Sequence, residues 1–86
     1  MDLKILDESK DEMRVEFDNV TLPELLRVYL NQDSSVTFAA WRQEHPTKNP
    51  VLLVRTSGKT PKKAINDAVN AISKELDVFS KEVSKL

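Results

Sequence analysis

The 86-residue chain has no cysteine, one glycine and one histidine. The absence of cysteine excludes disulfides, thiolate zinc sites and cysteine nucleophiles, and it suits a reducing cytoplasm. A single glycine, Gly58, cannot supply a glycine-rich phosphate loop, and one histidine, His45, cannot build a multi-histidine metal site. The longest purely apolar run is four residues, 51–54, whereas a membrane span needs about 20. We therefore expect no membrane segment, and the opening residues predict no secretory signal.

The charge pattern gives the chain no overall reason to bind nucleic acid, since the net charge is only −1. Lys59, Lys62 and Lys63 nevertheless cluster at the start of the last predicted helix, where the helix dipole does not favour cations. With Arg55 they define an alternative hypothesis, a small nucleic-acid-binding module. His45 lies in a turn-rich stretch without a nucleophile or second base nearby in the sequence. The sequence therefore predicts no catalytic residue, no metal site and no cofactor.

Apolar periodicity divides the chain into four strands and two helices. A period of two predicts half-buried strands, and spacings of three and four predict amphipathic helices. At the first helix Thr21 is expected to act as the cap, with Glu24 closing a capping box. The predicted elements are strands at 3–5, 13–18, 36–42 and 51–56 and helices at 21–32 and 61–84. This order, β-β-α-β-β-α, predicts an α+β fold in which a four-stranded antiparallel or mixed sheet carries both helices on one face.

Two finer expectations follow from the same patterns. The acidic stretch 7–12 is expected to form the solvated tip of a hairpin between the first two strands. In the third strand Val36, Phe38 and Ala40 share one face, and the other face is also apolar or small. Apolar residues on both faces predict cover on both sides or an interior place in the sheet for this strand. The whole chain, 1–86, is predicted to form a single domain.

The last helix carries an apolar series whose steps alternate strictly between four and three residues. A mean step of 3.5 is typical of a narrow seam that faces another helix. At 1.5 Å per residue the helix is about 36 Å long, whereas a six-residue strand covers about 20 Å. More than a third of the seam is therefore expected to extend beyond the sheet and to need a partner helix. The seam consists of Ile65, Val69, Ile72, Leu76, Phe79, Val83 and Leu86.

Several short motifs resemble the archaeal RNA polymerase subunit L family, which is similar to the eukaryotic small assembly subunit and to the dimerisation domain of the bacterial alpha subunit. The motifs are TLPELLR at 21–27, VTFAAW at 36–41, His45-Pro46, VLLVRT at 51–56 and TPKKA at 60–64. Within them, the family pattern is carried most clearly by Thr21, Phe38, Trp41, His45 and Pro46. The resemblance runs from about Leu3 to the end of the chain. Three positions depart from the usual pattern, which commonly has histidine at Val20, asparagine at Glu24 and tyrosine at Trp41.

The resemblance implies a non-catalytic subunit of a cytoplasmic DNA-directed RNA polymerase. Members of the family pair with a larger, alpha-like polymerase subunit, and the heterodimer is an assembly platform for the two large catalytic subunits. Contact with DNA would be indirect, through the complex. Arg27 would be a candidate contact to a large subunit. The partner would be met by the seam of the last helix together with Leu22, Leu25, Leu26 and Tyr29 of the first helix.

A homodimeric scaffold is a further alternative to the polymerase subunit. Because the seam is compatible with a second copy of itself, the isolated chain is also able to form homodimers.

Overall fold

The structure, a computed structural model, describes residues 3–85. Its elements are β1 (Leu3–Glu8), β2 (Glu12–Phe17), α1 (Thr21–Leu30), β3 (Val36–Arg42), β4 (Val51–Thr56) and α2 (Pro61–Ser84). The strands form one sheet in the order β1-β2-β4-β3, and every neighbouring pair is antiparallel. The predicted element order and the long last helix are confirmed.

The β1–β2 hairpin is longer than the sequence predicts. β1 continues past Ile5 to Glu8, and a bulge between Ile5 and Asp7 shifts its register against β2. Asp7 lies in the strand opposite Arg14, and their side chains form an ion pair at 3.1 Å. The expected acidic tip therefore shrinks to the turn at 9–11, because the cross-strand charge pair allows a carboxylate within the ladder.

The expectation of an interior position or two-sided cover for β3 is wrong. β3 is an edge strand that pairs only with β4, and Phe38 on its outer face is exposed. A bulge between Val36 and Phe38 also changes the alternation, so that Val36 lies opposite the buried Thr56 instead of sharing a face with Phe38. It is β4, next to β3, that occupies an interior position, and Leu52 and Val54 are fully buried there.

The core lies between one face of the sheet and the two helices, as predicted. β2 contributes three buried side chains, α1 contributes Leu26 and Leu30, and α2 contributes two alanines, which let the helix approach the sheet closely. The ten buried hydrophobic residues are Met13, Val15, Phe17, Leu26, Leu30, Ala39, Leu52, Val54, Ala64 and Ala68. Among the described residues, no helix combines the length and the apolar character needed to cross a bilayer.

The start of α1 differs from the predicted capping box. Val20 already has helical dihedral angles and precedes the first helical residue, Thr21, whose side chain therefore cannot act as the cap. The Asn19 side chain takes that role in part, because its carbonyl oxygen accepts a hydrogen bond from the Leu22 amide at 3.0 Å. The helix ends at Leu30, two residues before the predicted end.

The start of α2 follows the predicted pattern. The Thr60 hydroxyl accepts a hydrogen bond from the Lys63 amide at 3.2 Å, and Pro61 is the first helical residue. Gly58 has a φ of +92°, which side chains other than hydrogen rarely adopt, so the only glycine of the chain ends β4 before the helix begins.

An ion network connects the end of α1 to the start of α2. The Lys59 ammonium lies 2.5 Å from a carboxylate oxygen of Asp33 and 2.8 Å from one of Asp67. The hydrogen bonds from Lys59 hold the pKa of both carboxyl groups below their ordinary values, and the two carboxylates raise the pKa of Lys59. Lys59 is therefore not free to meet an external anion, contrary to the expectation from its position at the helix start.

The lowered pKa values predict a stability contribution that depends on pH. Carboxyl groups with a lowered folded-state pKa stabilise the fold above their ordinary pKa of 3.8, and this stabilisation is lost as the pH falls through the folded value. We expect Lys59→Gln to lower the thermal unfolding midpoint at neutral pH, and the difference from the unchanged chain to shrink in acid. Circular dichroism melting curves across this pH range measure both effects.

Lys62→Gln is the matched control, because Lys62 is an exposed lysine in the same helical turn with no ion pair among residues 3–85. An equal effect of Lys59→Gln at every pH would contradict the assignment of the stabilisation to the two carboxylates.

Candidate protein interaction surface

Helix α2 projects beyond the rest of the fold. Its buried and half-buried apolar residues end at Ile72, and every described residue from Ser73 to Lys85 is exposed. Since the helix runs from Pro61 to Ser84, the projecting part is half of it, about 18 Å at 1.5 Å per residue. The sequence therefore predicts the overhang correctly but underestimates its length. We call residues 73–85 the projecting segment.

The apolar seam runs along one face of α2 from the core into the projecting segment. Ile65 and Ile72 are half-buried and pack against the core. Phe79, one heptad after Ile72, is 66% exposed, and Leu76 is 62% exposed. Val69 and Val83 on the same seam are also exposed, and Leu86 lies outside the described residues. The face of α2 that packs on the sheet thus continues without cover.

Helix α1 supplies a smaller part of the surface than the sequence predicts. Leu25 is exposed, whereas Leu22 and Tyr29 are half-buried and pack against the core. The expectation that Leu26 faces a partner is wrong, because its side chain is only 2% exposed and belongs to the core of the chain itself. Leu26 and Leu30 lie four residues apart on the face of α1 that covers the sheet, which turns Leu25 outwards.

The structure exposes further apolar side chains that sequence reasoning misses. Val28, three residues after Leu25, extends the exposed face of α1, and this spacing is a signal that the sequence does contain. Leu3 and Ile5 lie opposite the buried Phe17 and Val15, so they belong to the face of the sheet that carries the helices, yet both are exposed. Only the register of β1 shows that they lie beside the core.

A hydrogen bond joins α1 to the point where α2 leaves the core. The Tyr29 hydroxyl donates to a Glu75 carboxylate oxygen at 2.6 Å. This bond to a charged acceptor, with some burial, raises the pKa of Tyr29. Glu75 lies one turn after Ile72, so the contact holds the first turn of the projecting segment in a defined direction.

Glu24 forms a polar cluster with Arg27 and Trp41 instead of closing a capping box. The Arg27 guanidinium donates from Nε to Glu24 at 2.6 Å, and the Trp41 indole donates to the second carboxylate oxygen at 3.3 Å. The pKa of Glu24 is lowered, first by the bond from Arg27. Arg27 thus remains partly exposed but its charge is already paired within α1.

The remaining residues of the sequence motif do not converge on one site. Phe38 and Trp41 lie on opposite faces of β3, because Trp41 packs towards the core and Phe38 is exposed. His45 and Pro46 are exposed in the connection to β4, where the His45 carbonyl accepts a hydrogen bond from the Lys48 amide at 2.9 Å. Thr21 is exposed at the start of α1.

The residues of the nucleic-acid alternative are mostly engaged within the chain. Lys59 and Lys63 both pair with Asp67, and Arg55 lies 3.7 Å from Glu12 and over the Phe38 ring. Within residues 3–85 no group of three or more histidine or acidic side chains is arranged to hold a metal ion. The feature of this part of the chain that lacks an internal partner is the apolar surface.

The contrast between core and seam predicts different costs for the same substitution. Leu26→Ala is expected to lower the free energy of unfolding by about 2–5 kcal/mol, because it leaves a cavity in the core. Leu76→Ala is expected to change it by less than about 0.5 kcal/mol, since the side chain is exposed. Urea unfolding of the dilute, monomeric chain measures both values, and similar costs at the two positions would contradict this division.

Comparisons with known proteins agree with this geometry. The sequence profile of the family described as the RNA polymerase Rpb3/Rpb11 dimerisation domain matches residues 12–82. DNA-directed RNA polymerase subunit Rpo11 from Methanothrix thermoacetophila is 38% identical over 85 residues, which cover 95% of this chain and 93% of that protein. The subunit of the same name from Methanococcoides burtonii is 34% identical over 82 residues, 92% of this chain and 90% of that protein.

The fold itself also has a solved counterpart. The crystal structure of DNA-directed RNA polymerase subunit L from Thermoplasma acidophilum matches with a TM-score of 0.87 at 28% identity, and the match covers 98% of this chain and 86% of that one. Profile, sequence and fold agree over nearly the whole length, so the chain belongs to the RNA polymerase Rpb3/Rpb11 dimerisation domain family, as a non-catalytic subunit of DNA-directed RNA polymerase related to archaeal subunit L.

Proposed function

We propose that this chain pairs with the larger, alpha-like subunit of the polymerase, and that the heterodimer is the platform on which the large catalytic subunits assemble. Residues 1–86 would act as one dimerisation domain, in the cytoplasm. DNA would be met only indirectly, through the assembled enzyme.

The observation that carries this proposal is the uncovered seam of the projecting segment. Leu76, Phe79 and Val83 are all exposed along one helical face. Burial of each such side chain is worth about 1.5–3 kcal/mol. Contiguous exposed apolar surface of this kind marks interaction sites on monomeric proteins.

The direction of the seam supports a partner that lies next to the sheet of this chain, and under the same face of α2. Ile65 and Ile72 pack on the core, and Phe79 continues their face beyond it. A partner of similar fold would therefore extend the layer that the sheet begins. The proposed interface consists of Leu22, Leu25, Tyr29, Ile65, Val69, Ile72, Leu76, Phe79, Val83 and Leu86, with Val28 added from the structure.

Arg27 is proposed as a contact to a large subunit, on the basis of the family resemblance. Its guanidinium is partly exposed and held by Glu24, which in turn accepts a hydrogen bond from Trp41. This arrangement presents the remaining donors of Arg27 in a fixed orientation at the surface of α1.

Charged residues in the seam should prevent pairing. We expect the double variant Leu76→Asp/Phe79→Asp to lose association with the alpha-like subunit, because two carboxylates would have to be buried without partners. Co-purification of the tagged variant with the alpha-like subunit after co-expression measures the association. Undiminished recovery of the alpha-like subunit would contradict the proposed interface.

The matched control is Asn70→Asp/Ser84→Asp, which adds the same two charges to exposed positions of α2 outside the seam. This control should retain the alpha-like subunit. The two variants should also have similar unfolding midpoints as dilute single chains, since all four positions are exposed or outside the core.

A homodimeric scaffold is the second candidate, because the uncovered seam could face its own copy across a two-fold axis. Mixing the isolated chain with the alpha-like subunit distinguishes the two functions. Exchange from homodimer into heterodimer supports the polymerase assignment, whereas a homodimer that ignores the alpha-like subunit supports the scaffold.

A further inference from the structure

The face of the sheet opposite the helices is more apolar than an open face should be. One side of an antiparallel sheet that meets water normally carries polar residues. Here Val51 and Leu53 of the interior strand β4 are directed to this face and are only half-buried. Phe38 is 44% exposed beside them. We call the apolar residues on this side the open-face strip: Leu6, Phe38, Ala40, Val51 and Leu53.

The open-face strip lies at the bottom of a concavity. The twist of the sheet and the connection between β3 and β4 enclose a space of about 720 Å³ lined by the strip and by the charged residues around it. That volume is in the range of pockets that accept a chain segment or a mid-sized ligand. Neither helix covers this side, since the core and both helices lie on the other face.

The charges around the strip differ between its two edges. On the β2 side Arg14 is paired with Asp7 at 3.1 Å, and Arg55 lies near Glu12 and over the Phe38 ring. On the β3 side Arg42 and Lys48 line the concavity and have no ion-pair partner among residues 3–85. The neutralised edge needs no external charge, whereas the other edge offers two cations next to apolar surface.

We propose that the open-face strip is a second docking surface, which binds a segment of another polymerase chain that carries an apolar side chain flanked by carboxylates. The apolar anchor would lie over Ala40 and Leu53, and the carboxylates would meet Arg42 and Lys48. This inference rests on the proposed function, because it takes the occupant from the same assembly. The occupant differs from the dimerisation partner, since the strip and the seam belong to opposite sides of the sheet.

Nucleic acid fits the surface less well than an acidic peptide segment. Glu16 and Glu44 line the same concavity and would repel a phosphate backbone. A peptide segment can place its carboxylates selectively at the β3 edge and leave the two glutamates in water. The charge pattern therefore favours a protein occupant.

Site-specific photocrosslinking tests the proposal in the assembled polymerase. Phe38→p-benzoylphenylalanine places the reactive group in the strip, and Phe79→p-benzoylphenylalanine places it in the seam. Each tagged variant is expressed in its own cells, the polymerase is purified and irradiated, and the crosslinked peptides are identified by mass spectrometry. We expect position 38 to label a chain other than the alpha-like subunit, at a segment with an apolar residue and at least two Asp or Glu nearby.

The two positions separate this proposal from the proposed function. Labelling of the alpha-like subunit from position 79 together with no labelled protein from position 38 overturns the second docking surface alone. Labelling of nucleic acid, of the alpha-like subunit or of a basic segment from position 38 also overturns it. A failure of position 79 to label the alpha-like subunit counts against the proposed function, whatever position 38 shows.

Charge reversal gives a readout that does not depend on the photoreactive group. Arg42→Glu/Lys48→Glu should still co-purify with the alpha-like subunit, which shows that the variant is folded. In competition with the unchanged chain, its incorporation into the complete polymerase should fall about tenfold, equivalent to about 1.4 kcal/mol. Lys10→Glu/Lys62→Glu makes the same charge change at exposed lysines outside the strip and should incorporate normally. Equal incorporation of both double variants overturns the role of the two cations.

Discussion

Helix α2 can bury its apolar face against its own sheet only as far as Ile72, because the sheet ends there while the helix continues for more than three turns. The apolar seam does not end with the core. Phe79 repeats the position of Ile72 one heptad later and is largely exposed. The fold is thus complete as a hydrogen-bonded structure but incomplete as a hydrophobic one, and association with a second chain follows from that mismatch.

The other contacts in the helical layer make the projecting segment a rigid surface. Tyr29 donates to Glu75 at the point where α2 leaves the core, and Lys59 joins Asp33 after α1 to Asp67 in α2. Both contacts connect the two helices, so the direction of α2 is set before any partner binds. A preorganised surface loses less conformational entropy on association, which leaves more of the hydrophobic gain for affinity.

Much of this organisation can be predicted from the residues themselves. The element order, the Thr60 cap of α2 and the overhanging seam all follow from periodicity and length, which are local properties of the chain. Sequence reasoning fails where another contact competes with a local preference. Thr21 is the right residue type for a cap, but Val20 already has helical dihedral angles, so the helix is capped one residue earlier and Asn19 bonds the Leu22 amide. Glu24 has the spacing of a capping box, but Trp41 from a distant strand shares its carboxylate with Arg27.

Sequence alone determined that the chain carries more apolar helix than a four-stranded sheet can cover, because heptad spacing and helix rise depend only on neighbouring residues. Tertiary structure decided which of the apolar residues remain outside. Leu25 and Leu26 are adjacent and equally apolar, yet the angle at which α1 crosses the sheet buries one and exposes the other. The place of β3 at the edge, and with it the open-face strip, likewise depends on strand order, which no local pattern encodes.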